Sequence, residues 1–159
     1  MKGTLLRAAL WLVLGGWVGS WACFGLVVAP NAFRLLPSEV AGQLVGPVLG
    51  TLHVYGLVAG VLLAPLALAL GRGRLLAIAP LGMAAVCAFS HFWVTPEIAT
   101  VRPFAFGPEG SVEMVTRFGE LHRISLGLFM LVSAATLVLV LLHARADARD
   151  AARAGLDAR

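Results

Sequence analysis

The chain has 159 residues, of which 60% are hydrophobic and only 13% charged, with a formal net charge of +4. So apolar a composition excludes an ordinary water-soluble domain. The basic excess does not read as nucleic-acid binding, because the arginines are scattered near the ends of apolar runs rather than gathered in a stripe with aromatics.

Ala8 to Asn31, Val40 to Gly71, Leu75 to Pro96 and Ile124 to Leu142 contain no charged residue. A helix of about 20 apolar residues crosses the hydrocarbon of a bilayer, so each run predicts a span. The fold expected is all-α, an integral membrane four-helix bundle with a long outer connection between helices 3 and 4. Four spans gather the N-terminus, the Gly71–Arg74 turn and the C-terminal tail on one side. That side holds eight basic residues against four on the other, which predicts N-in/C-in orientation by the positive-inside rule; a bacterial plasma membrane is the location expected. Residues 1–145 read as one four-span domain and 146–159 as a polar cytoplasmic tail.

In chain order, the first run is too long for the apolar core of a signal peptide and reads as an uncleaved anchor. It is expected to end at Pro30, with Asn31 to Pro37 as a short outer connection. Ser38 is placed to cap the second helix, with Glu39 in its first turn. The 32 uncharged residues of the second run make about 48 Å of helix against a hydrocarbon core of ~30 Å. Gly71-Arg72-Gly73-Arg74 is a tight helical hairpin, and the third span is expected to stop at Pro96. Gly107-Pro108-Glu109-Gly110 breaks the long connection. Ser111 after it can cap the last helix, which continues past His143 as a frayed extension.

In a membrane, small residues mark helix contacts because they let backbones approach. Gly42, Gly46, Gly50, Gly56 and Gly60 fall on one arc of the second helix, with His53 near its centre; Gly15 and Gly19 offer a small face on the first. These faces are expected to pack together. His91 shares a small-residue face of the third span, and His122 shares one of the fourth with Ser125. His53, His91 and His122 therefore lie on inward-prone faces at similar depth, and ionisable groups inside a bundle are functional candidates. Imidazoles suit zinc, copper or haem iron, yet three histidines on three helices form no spacing motif, so no cofactor is expected and haem or copper is the alternative. Glu97, Arg102 and Glu120, with Ser125, form a candidate outer polar cluster in which Glu97 and Arg102 lock the connection onto the bundle; Glu109 and Glu113 read as solvated. Cys23 and Cys87 read as small buried thiols, His143 as a flank residue, and Trp11, Trp17, Trp21 and Trp93 as packing or interfacial aromatics.

Trp11 with Gly15-Gly16, Val28-Ala29-Pro30 and Phe33, then Val94-Thr95-Pro96-Glu97-Ile98 with Arg102, then Phe118-Gly119-Glu120-Leu121-His122-Arg123-Ile124-Ser125, resemble in order the signatures of the transmembrane protein 205-like family. Pro30, Pro96, Arg102, His122 and Ser125 are the positions that match. The chain is also distantly similar to copper-resistance-D-like membrane proteins. The resemblance implies a four-helix membrane protein with no established reaction. The reading is of a non-enzymatic multi-pass protein in stress tolerance or small-solute or metal handling, with the bilayer and a second copy or membrane protein as partners. The alternatives are a metal- or haem-binding protein using His53, His91 and His122, and a small membrane enzyme with Glu120 and His122 as its acid–base pair.

Overall fold

A computed structural model describes residues 2–108 and 110–157. Among them there is no strand, and four helices are long and apolar enough to cross a membrane. The first span comprises α1 (Lys2–Cys23), a π-helical turn over Phe24–Val28, and α2 (Ala29–Leu35). The second is α3 (Ser38–Ala69). The third repeats the pattern of the first: α4 (Arg74–Phe89), a π turn over Ser90–Val94, and α5 (Thr95–Phe106). The fourth is α6 (Val112–Asp157), 46 residues long.

Both π turns precede a proline, although Pro47, Pro65 and Pro80 lie within regular α-helix. Pro30 and Pro96 each follow the start of a π turn by six residues. A proline ring presses on the carbonyl four residues earlier, here Leu26 and Phe92, and donates no hydrogen bond to it. Widening the turn relieves the clash without breaking the helix. Neither proline therefore ends its span, contrary to expectation. The first connection shrinks to Leu36 and Pro37, and much of the long connection is helical, with its break at 107–111.

Caps were partly legible. Ser111 accepts a hydrogen bond from the Met114 N–H at 3.2 Å, whereas Ser38 is the first helical residue and Pro37 takes the cap position without a side-chain bond. The hairpin before α4 turns on Gly71 and Gly73, whose φ of 67° and 87° suit glycine and strain other residues.

Each span packs against its neighbours in sequence, and the fourth closes back on the first. All four contribute to one core, which includes Leu10, Leu14 and Trp17, then Ala59 and Leu63, then Leu76 and Cys87, then Val132 and Leu139. Large apolar side chains such as Leu12, Val58, Ile78 and Leu137 stay exposed, the surface a bilayer would cover.

Glycines of α3 meet side chains of both the first and the third span. Gly56 faces Trp17 Nε1 and Cys87 Sγ, which lie 3.0 and 2.7 Å from where a Cβ would stand. A Cβ on Gly60 would strike the Pro80 carbonyl and lie 2.8 Å from the Ala84 methyl. Gly15, Gly19 and Gly46 do not make such contacts: nothing lies within 4 Å of a Cβ on any of them. On the first helix the close approach belongs to Gly16, which meets the Tyr55 hydroxyl. The inward face of that helix is bulky rather than small, running through Leu10, Leu14, Trp17 and Trp21. Glycine on one helix accommodates tryptophan on the other, so two glycine faces need not meet.

Candidate functional site: paired histidines inside the bundle

His53 lies midway between Gly50 and Gly56 on the inward face of α3 and is 1% exposed. Neither of its ring nitrogens has a hydrogen-bond partner. Trp21 stands edge-on to it, with ring centroids 5.7 Å apart, and stacks in turn on Phe129 of α6 at 4.9 Å. The first and fourth helices thus brace the imidazole of the second.

The third helix supplies His91 from its π turn. His91 Nδ1 lies 4.0 Å from the position of a Cβ on Gly50, one helical turn before His53. A methyl group on Gly50 would lie in ordinary contact with that ring, so His91 reaches the turn of α3 that carries His53. His91 Nδ1, the hydroxyl of buried Ser90, and the indole N–H groups of Trp17 and Trp21 are likewise buried without partners. Each such group costs on the order of 1–3 kcal/mol, and ionisable residues in this setting mark functional sites by default. Two imidazoles, a hydroxyl and two indoles offer both donors and acceptors.

His122 does not join the pair. It is exposed on α6, stacked on Phe118 with centroids 6.1 Å apart. The inward line of α6 runs through Ser125, Val132, Thr136, Leu139 and His143, and one turn before Ser125 the phase falls nearer Leu121 than His122. Among the described residues, no three His, Cys, Asp or Glu side chains are grouped to hold a metal ion. The three-histidine cluster is therefore not formed: His122 stands apart from His53 and His91.

The outer polar cluster also resolves differently. Glu97 pairs with Arg117 at 3.3 Å, tying α5 to α6, while Arg102 donates to the backbone carbonyl of Glu39 and lies over Gly42. Glu120 is exposed and makes no ion pair with a described residue, and Ser125 is buried. Glu97 and Arg102, expected to pair, do not: Arg117 holds Glu97 within the connection, and Arg102 reaches α3 through the Glu39 carbonyl instead. Both cysteines are free; Cys87 is buried and Cys23, contrary to expectation, is exposed. Glu109 and Arg159 lie outside the described residues.

At the end of the bundle that carries the termini, a network appears that sequence reasoning missed. Asp147 accepts from the Trp11 indole at 2.8 Å and from Arg72, and pairs with Arg7. Asp150 accepts from Arg7 at 3.0 Å and Arg72 at 3.1 Å. The Arg72 side chain is 2% exposed. His143, expected as a flank residue, is fully buried with both ring nitrogens unpartnered. The available signal was the spacing of Asp147 and Asp150, one turn apart on a helix whose end must meet the arginine-bearing hairpin.

A family model described as a domain of unknown function, DUF4149, matches residues 12–103. The chain belongs to this family. The matched segment runs from the first span into α5 and contains Trp17, Trp21, Gly50, His53, Gly56, Ser90 and His91, so the histidine pair lies wholly within the family domain, whereas His122 and His143 lie beyond it. No curated protein and no solved structure matches the chain.

Proposed function

We propose that the chain is a non-enzymatic multi-pass membrane protein of the transmembrane protein 205-like type that handles a small solute, a first-row transition-metal ion in its most testable form, at His53 and His91. The observation that carries this reading is the burial of His53 with both ring nitrogens free of protein partners, beside His91 with its Nδ1 equally free. Imidazole nitrogens suit zinc, copper, nickel and iron. Two of them do not complete the four-ligand shell of a resident structural metal. They suit an ion that keeps part of its own shell, loads and leaves. The family domain covers the signatures around Trp11–Phe33 and Val94–Arg102 almost entirely, which supports the finer family assignment. The excess of basic residues at the terminal end supports cytoplasmic termini, in a membrane we take to be a bacterial plasma membrane.

The test is metal content after exposure of the detergent-purified protein to zinc, copper or nickel and removal of loose ions. One ion per chain is expected, lost in His53→Ala and His91→Ala and kept in His122→Ala. Equal retention in all four proteins, or none in the parent, contradicts the reading.

A further inference from the structure

The seam between the third and fourth helices holds an apolar groove of about 540 Å³. On α4 it runs from Leu75 to Val86, and on α6 from Leu131 to Leu142. Both lengths are 11 residues of rise, about 17 Å, close to half of a ~30 Å hydrocarbon core. The groove is thus one leaflet deep, and it begins at the terminal end of the bundle. It is open because its walls carry Ala79, Gly82 and Ala135, and nothing lies within 4 Å of a Cβ on Gly82.

Its mouth is basic. On α6 the lining stripe of Leu131, Ala135, Val138 and Leu142 continues at helical spacing into Arg145 and Arg149. On α4, Arg74 immediately precedes Leu75. Arg74, Arg145 and Arg149 are exposed and make no ion pair with a described residue. The acids of this end, Asp147 and Asp150, are turned to Arg7 and Arg72 instead. The end of α6 therefore divides its charges, acids toward the first helix and the hairpin, arginines toward the seam.

We infer that this seam binds one anionic phospholipid of the leaflet at the terminal end, its acyl chain in the groove and its phosphate against Arg74 and Arg145. An apolar slot of leaflet depth fits an acyl chain, and a basic rim between helices selects a negatively charged headgroup. The inference is independent of the histidine pair.

The experiment is native mass spectrometry of the full chain released from nanodiscs holding equal amounts of phosphatidylglycerol, phosphatidylethanolamine and phosphatidylcholine. Phosphatidylglycerol is expected to remain bound at about thirtyfold over either zwitterionic lipid, the effect of two arginines near one net negative headgroup. Arg74→Gln with Arg145→Gln should bring that ratio close to one. Gly82→Leu, whose side chain enters open space, should expel lipid of every class while the melting temperature is kept. Retention of the three lipids in proportion to their supply, or selectivity that survives either variant, overturns the inference. So does a lipid-independent dimer that Gly82→Leu dissociates, which would give the seam to a second copy of the chain.

Discussion

The Trp21 ring meets His53 edge-on, with centroids 5.7 Å apart and planes at 69°. This contact fixes the imidazole sterically yet gives neither of its nitrogens a hydrogen bond. Two unpaired polar atoms in a bundle core cost stability rather than supply it, at His53 as at His143. Replacing such a group by an apolar one of similar size removes a desolvation cost of roughly 1–3 kcal/mol. His53→Leu is therefore expected to leave thermal stability in detergent unchanged or raised while abolishing metal retention. A fall of several degrees in melting temperature would mean that the imidazole is structural.

The glycines separate into two classes by what a methyl group would meet. Gly60→Ala drives a Cβ into the Pro80 carbonyl and the Ala84 methyl, and overpacking of this kind costs about 1–3 kcal/mol. Gly15→Ala and Gly19→Ala enter open space and gain helix propensity, so they should be neutral or stabilising by up to about 1 kcal/mol. Melting curves of the three variants in one detergent check the order. Equal losses at all three would restore the small face of the first helix as a packing face.

At the terminal end, Arg72 is enclosed and bonded to two carboxylates, whereas Arg7 is about half exposed. Removing Arg72 leaves two acids without their main partner, and breaking a buried pair costs about 3–5 kcal/mol, less here because the acids remain partly wet. Arg72→Met should destabilise more than Arg7→Met, read by thermal unfolding. An equal or reversed order contradicts the network.

Asp147 lies beyond the apolar run of the fourth span, and its pH response follows from its contacts. Desolvation raises its pKa, but the Trp11 N–H and the Arg72 and Arg7 charges outweigh that and hold it below the ordinary carboxylate value. A carboxylate depressed in the folded state contributes stability that is complete above its unfolded pKa, near 3.9, and is lost as pH falls through the lower folded value. Melting temperature should therefore drop below about pH 4, and Asp147→Asn should be less stable at neutral pH with a shallower acid-side drop. An unaltered acid limb in the variant would assign the drop to other groups.

The apolar runs made the four spans legible, and the glycine arc of α3 correctly turned His53 inward. What the residues could not disclose was phase and partner. A stripe of small residues shows where backbones can approach, but the approaching group can be a tryptophan, as Trp17 is at Gly56. Two prolines read as helix ends, Pro30 and Pro96, instead follow π turns that let the helix continue, and one of those turns carries His91. His122 missed the pair because a small difference in helical phase decides a face. Charge counting located the arginines of the terminal end but not their pairing, since Asp147 and Asp150 meet Arg72 across more than 70 residues of chain.

In the proposed site, two imidazoles from different helices share one ion. X-ray absorption of the zinc-loaded protein measures this directly. Two imidazole nitrogens are expected at about 2.0–2.1 Å, falling to one in either His53→Ala or His91→Ala at forced loading. A shell without imidazole, or one unchanged by both substitutions, contradicts it.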